Sequence, residues 1–111
     1  MEQPKLCDLK CAPCRGGIPP LTREEIAPLA VLTPEWTLAE DAASISRAWK
    51  FKNFKDPLAL VNRIGEIAEA EGHHPDIEFG WGYVRIKLWT HAIKGLHQND
   101  FIVAAKIDQL K

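Results

Sequence analysis

Three of the chain's four histidines, His73, His74 and His91, fall within one short stretch, and two of them are adjacent in "GHHPD" at 72–76. Imidazole is the side chain best suited to giving and taking protons near neutrality, because its ordinary pKa lies at about 6.5. Neighbouring side chains on an extended backbone point to opposite faces, and Pro75 biases His74 towards that conformation. Either one histidine of the pair is structural and the other works, or the local geometry lets both reach one pocket. Zinc also accepts imidazole nitrogen, but adjacent ligands diverge and the HExxH arrangement is missing, so proton transfer is the expected chemistry. His97 reads as a surface residue or part of a helix N-terminus. Trp36, Trp81, Tyr83 and Trp89 are the aromatics available to line a pocket.

The elements that must position these groups are legible in turn. "LTREEIAPLAVL" offers Thr22 and Glu25 as a capping box and Leu21 with Ile26 as a hydrophobic staple, which predicts a helix from near Arg23 to near Leu32. Pro28 should shorten or kink it. A short strand is expected around Trp36–Ala39, a turn near Glu40–Ala43, and a half-buried strand in "ISRAWKFK" with Ile45, Arg47, Trp49 and Phe51 on one face. "KDPLALVNRIGEIAEAEG" predicts the longest helix, with Asp56 as cap, Pro57 at the first helical position and Gly72 just past the end. Leu60, Val61, Ile64, Ile67 and Ala68 make its apolar stripe. "DIEFGW" and "YVRIKLWT" read as strands joined at Gly80–Gly82, and "HQNDFIVAAKIDQL" as a final helix.

The predicted order is therefore α-β-β-α-β-β-α. Because each strand pair is hairpin-like, this gives a single α+β domain, a four-stranded antiparallel sheet with three helices on one face. The hairpin of strands three and four should bring His91, at the end of strand four, beside His73 and His74. Residues 1–20, rich in Pro, Gly and Cys, read as an irregular arm, and 21–111 as the domain.

Length and composition suit one globular domain that buries a core without staples: 111 residues, 46% hydrophobic and 26% charged. A formal net charge of −1 leaves no electrostatic footprint for nucleic acid or anionic membrane. No apolar run is long enough to span a bilayer, and "MEQPKLCDLK" lacks the apolar region of a secretory signal. A cytoplasmic location is expected.

The segment from Glu69 to Asp100 resembles the pterin-4a-carbinolamine dehydratase family. The family's spaced pattern is met by Glu69, His73, His74, Pro75, Trp81, His91 and Asp100. "LWTHAIKGL" at 88–96, Trp36 and "FKNF" at 51–54 extend the likeness over roughly residues 21–111. The resemblance implies dehydration of 4a-hydroxytetrahydropterin to quinonoid dihydropterin by histidine acid–base catalysis, in support of tetrahydrobiopterin recycling. The pterin is then the substrate, and no cofactor is implied. It further implies His73 and His91 as the acid–base pair and His74 as the substrate-positioning imidazole. Asp100 would orient His91 or the pocket, and Glu69 would hold a histidine tautomer. Trp36, Trp81 and Pro75 would support the site. Homodimers or homotetramers are implied as well. The alternative is a pterin- or partner-binding scaffold of the same fold without dehydratase activity, tied to molybdenum cofactor metabolism or to transcriptional coactivation.

Cys7, Cys11 and Cys14 are spaced C-x3-C-x2-C. That matches the cluster signature of radical SAM enzymes, but such chemistry needs a barrel of about 200 residues or more, which this chain cannot supply. A zinc site completed by a fourth ligand is a minor alternative. The expectation is an arm before the fold, as in microbial members of the family.

Overall fold

The computed structural model describes residues 6–12 and 16–110; Cys14 lies outside them. The elements follow the predicted order: α1 (Arg23–Leu32), β1 (Thr37–Leu38), β2 (Ile45–Lys50), α2 (Lys55–Glu71), β3 (Asp76–Gly80), β4 (Tyr83–Leu88) and α3 (Gln98–Asp108). The strands form one antiparallel sheet in the order β1-β2-β4-β3. The sheet is thus two hairpins side by side, joined through their second strands. Its centre is the β2–β4 ladder, which joins Ile45 to Leu88 and Lys50 to Tyr83, two strands that α2 and β3 separate in the chain.

The helices cover one face, and strand alternation decides which. Ile45, Val84, Ile86 and Leu88 are buried in a common core with Ile26, Ile64, Phe101 and Ile107. Ser46, Ala48, Lys50, Arg85 and Lys87 stand exposed on the other face. On that face Arg85 pairs with Glu78 at 3.1 Å and lies over the Tyr83 ring.

α1 starts as predicted: the Thr22 hydroxyl accepts from the Glu25 amide at 3.2 Å, and the Glu25 carboxylate accepts from the Thr22 amide at 2.9 Å. Pro28 is contained within the helix. Its missing N–H would have served the Glu24 carbonyl, and since both residues are exposed, water can take that bond. The start of α2 differs from expectation. Asn53, not Asp56, supplies the capping oxygen, accepting from the Asp56 amide at 2.9 Å. Asp56 instead accepts from the Asn53 side chain at 3.0 Å, and Pro57 falls inside the first turn. All four strands are shorter than predicted, β1 reduced to Thr37–Leu38, β3 ending at Gly80, and β2 and β4 ending at Lys50 and Leu88. The chain after Leu88 turns away to close a small loop through a Thr90–Gly95 bridge.

The described part of the arm belongs to the packed structure. Leu6–Asp8 forms one 3-10 turn, and Leu6 is buried in the core cluster. Lys106 of α3 donates to the Cys7 carbonyl at 2.9 Å.

Candidate active site

Three pieces of backbone meet at one corner of the fold. The first is the end of α2. Gly72 adopts a left-handed conformation (φ 63°, ψ 28°), with its amide bonded to the Glu69 carbonyl and the His73 amide bonded to the Ala68 carbonyl. This Schellman pattern needs a residue tolerant of positive φ, which glycine is. The reversal sends the two imidazoles in different directions: the His73 side chain is 11% exposed and the His74 side chain 60%. His73 faces the interior and His74 stands on the rim.

The second piece is the N-terminus of α3, closed by a reciprocal cap. The His97 Nδ1 accepts from the Asn99 amide at 3.0 Å, and the Asp100 Oδ2 accepts from the His97 amide at 3.0 Å. The same Oδ2 accepts from the Thr90 hydroxyl at 2.7 Å. The other oxygen, Oδ1, lies 2.6 Å from the His73 Nε2. Asp100 is fully buried, so its carboxylate oxygens are held by a helix amide, a hydroxyl and an imidazole. A carboxylate only accepts; the proton of this contact therefore sits on the His73 Nε2, and Nδ1 is left as the nitrogen that can exchange a proton.

The third piece is the loop after β4, where His91–Ile93 forms a 3-10 turn. The His91 ring lies 4.1 Å from the Trp89 ring, centroid to centroid. Trp89 is fixed in turn by donation from Nε1 to Asp76 at 3.1 Å. A cavity of about 450 Å³ opens where the three pieces meet, and His73, His74, His91, Trp89 and Thr90 line it. Cys11, Ala12, Glu71 and Asn99 line it too. Its size falls within the range of small-molecule sites.

The structure thus brings His73, His74, His91 and Asp100 together, with His91 in a turn rather than on a strand. Asp100 contacts His73 instead of His91, because the α3 cap turns its carboxylate towards the α2 end. Glu69 lies 3.3 Å from the His74 Nε2, with both side chains well exposed. Pro75 carries the chain into β3 without lining the cavity. Trp81 and Tyr83 sit at the opposite end of the β3–β4 hairpin, and a strand of this length separates its ends by roughly 20 Å. Trp36 is packed away from the cavity, edge-on to Trp49, with Nε1 donating to Asp108 at 2.8 Å. Among the described residues, no group of three or more His, Cys, Asp or Glu side chains is placed to hold a metal ion.

Sequence reasoning missed Thr90, Asn99, Glu71 and the arm. Glu71 accepts from the Cys11 amide at 2.8 Å, which holds its carboxyl below the ordinary 4.5, with Lys106 acting in the same direction. Burial, with Glu71 nearby, pushes the Cys11 thiol up to about 12, so it stays protonated.

This chain and its fold match known proteins. A family model described as pterin 4 alpha carbinolamine dehydratase matches residues 19–110, and the chain belongs to that family. Among its relatives is a provisionally named pterin-4-alpha-carbinolamine dehydratase of Methylococcus capsulatus, 51% identical over 99% of this chain and 96% of the relative. Another, of Halorhodospira halophila, is 52% identical over 95% of this chain and 96% of its own. A crystal structure from Brucella melitensis, described as a transcriptional coactivator/pterin dehydratase, superposes with a TM-score of 0.74 at 26% identity, covering 80% of this chain and 95% of that one. A pterin dehydratase-like protein identified as a RuBisCO assembly factor shares the fold, with a TM-score of 0.57 at 23% identity over 67% of this chain and 86% of its own. No helix among the described residues is long and apolar enough to cross a membrane.

Proposed function

We propose that this chain dehydrates 4a-hydroxytetrahydropterin to quinonoid dihydropterin by acid–base catalysis. The observation that carries the reading is His73, bonded to the buried Asp100 at 2.6 Å and lining one cavity with two further imidazoles. The elimination breaks the C4a–O bond, and the hydroxyl takes up one proton and leaves as water. The N5–H bond gives up its proton, and its electron pair forms the C4a–N5 double bond. Two proton carriers on one substrate suffice, and no resident cofactor enters the scheme.

His73 is the base: Asp100 fixes its proton on Nε2 and stabilises the imidazolium that forms when Nδ1 takes the N5 proton. His91, supported by the Trp89 ring, gives the proton to the departing hydroxyl. His74, on the rim, positions the pterin, and Glu69 steadies it weakly, since an exposed pair is worth at most about 1 kcal/mol. Association of copies fits the same reading. β3 is an edge strand, and Val31, Leu32, Phe54 and Leu58 are exposed apolar side chains, so a dimer or tetramer is expected by light scattering.

The test is the rate of carbinolamine breakdown with the purified chain. The wild type should accelerate it, and His73→Ala and His91→Ala should each lower that acceleration by about 10²–10⁴-fold. A wild-type chain that leaves the spontaneous rate unchanged would overturn the dehydratase reading. Pterin binding that survives in both variants without any catalysis would point to a scaffold.

A further inference from the structure

The N-terminal arm falls outside the part of the chain that the family model matches, which begins at residue 19, yet Cys11 and Ala12 line the same cavity as the three imidazoles. Their attachment is specific. The Ala12 amide donates to the Asn99 Oδ1 at 2.9 Å, and the Asn99 Nδ2 donates to the Ala12 carbonyl at 2.6 Å. One carboxamide therefore satisfies both backbone groups of Ala12, as a strand partner would. Asn99 is buried and immediately precedes Asp100 on α3. One residue earlier, the Cys11 amide donates to Glu71, the last residue of α2, and the Cys11 thiol donates to the Asn99 carbonyl at 3.6 Å. Glu71 is also 3.7 Å from Lys106, which holds the Cys7 carbonyl. The arm is thus bonded to the two helix ends that carry His73 and Asp100.

We propose that this arm is a working wall of the pterin pocket, with Asn99 as its positioning residue, and that it sets substrate affinity rather than the chemical step. The inference rests on the dehydratase-family reading for the ligand class, a bicyclic pterin. With the arm docked the cavity still measures about 450 Å³, ample for such a ligand, so the arm bounds the site and does not block it. Among the described residues, no arm atom is hydrogen-bonded to His73, Asp100 or His91, which is why the chemical step should be spared.

Two measurements test it. Ala12→Pro removes the amide that donates to Asn99 and leaves every imidazole and Asp100 intact. It should raise KM for the carbinolamine about tenfold, the scale of one lost hydrogen bond, with kcat within about twofold of wild type. An unchanged KM, or an equal fall in kcat, overturns the proposal. The second measurement needs no variant: maleimide labelling of the wild type, followed over hours with and without saturating 7,8-dihydropterin. Cleavage at Lys10 and Arg15 puts Cys7 on one peptide and Cys11 with Cys14 on another, whose fragment ions tell the two apart. Cys7 lines a surface pocket beside α2 and α3 rather than the cavity of the imidazoles. Bound pterin should slow labelling of Cys11 severalfold and leave Cys7 unchanged. Equal Cys11 rates in an active enzyme would remove the wall and keep the dehydratase. Protection of Cys11 without catalysis would support the wall and remove the dehydratase.

Discussion

Replacing Asp100 by Asn tests the site's proton arrangement with almost no change in shape. The Oδ2 position receives two donors, the Thr90 hydroxyl and the His97 amide, so the carboxamide oxygen must occupy it. The amide nitrogen then takes the Oδ1 position, 2.6 Å from the His73 Nε2 in the wild type, and presents hydrogens to it. His73 can accept that bond only by moving its own proton to Nδ1, the atom proposed to act as base. The variant keeps the helix cap and loses a charge-assisted bond, so its stability should fall by about 1–2 kcal/mol. Catalysis should fall by about 10²–10⁴-fold, or roughly 3–5 kcal/mol in the barrier. Initial rates of carbinolamine dehydration, urea unfolding and the ¹⁵N shifts of His73 together separate the effects. A variant whose His73 has switched tautomer while the rate stays within about threefold of wild type would refute the role given to Nδ1. One whose tautomer has not switched would refute the bonding scheme around Asp100.

Two further outcomes follow from the same contacts. Glu71 is held below its ordinary value of 4.5 in the folded chain. Its stabilising contribution is therefore complete above that value and is lost as the pH falls through the lower, folded one. Wild type should lose stability on acidification more steeply than Glu71→Gln, which still accepts from the Cys11 amide but does not titrate; parallel urea-unfolding curves across the acidic range would count against this. Gly95→Ala should destabilise by about 1–3 kcal/mol, because a Cβ there would meet the Pro20 Cβ at 2.6 Å, in a segment that the Leu21 amide ties to the Leu96 carbonyl. A thermal midpoint equal to wild type would show that Pro20 moves aside freely.

Local chemistry made much of the fold readable. The Thr22–Glu25 box, the apolar stripe of α2, the left-handed Gly72 and the alternation of Val84, Ile86 and Leu88 each bind neighbours in the chain, and each appears where the sequence places it. The helix-start error at Asp56 is of the same local kind: Asn53 and Asp56 are both capping types, and only the backbone geometry selects between them. The meeting of the three histidines was also legible, because a hairpin must return its second strand beside the start of its first.

What the sequence by itself determined, then, is the set of elements and the identity of the imidazoles, since periodicity and capping act over a few residues. The tertiary structure alone decided which carboxylate serves which histidine. Asp100 reaches His73 across 27 positions because the cap of α3 and the end of α2 share a corner, and no local signal records that approach. It also placed Trp36, Trp81 and Tyr83 outside the cavity and brought the arm into it. The bonds from Cys11 to Glu71 and from Ala12 to Asn99 span 60 and 87 positions, and each joins a backbone amide to a side chain whose type has many other uses. Only the packed chain can say that these groups are partners.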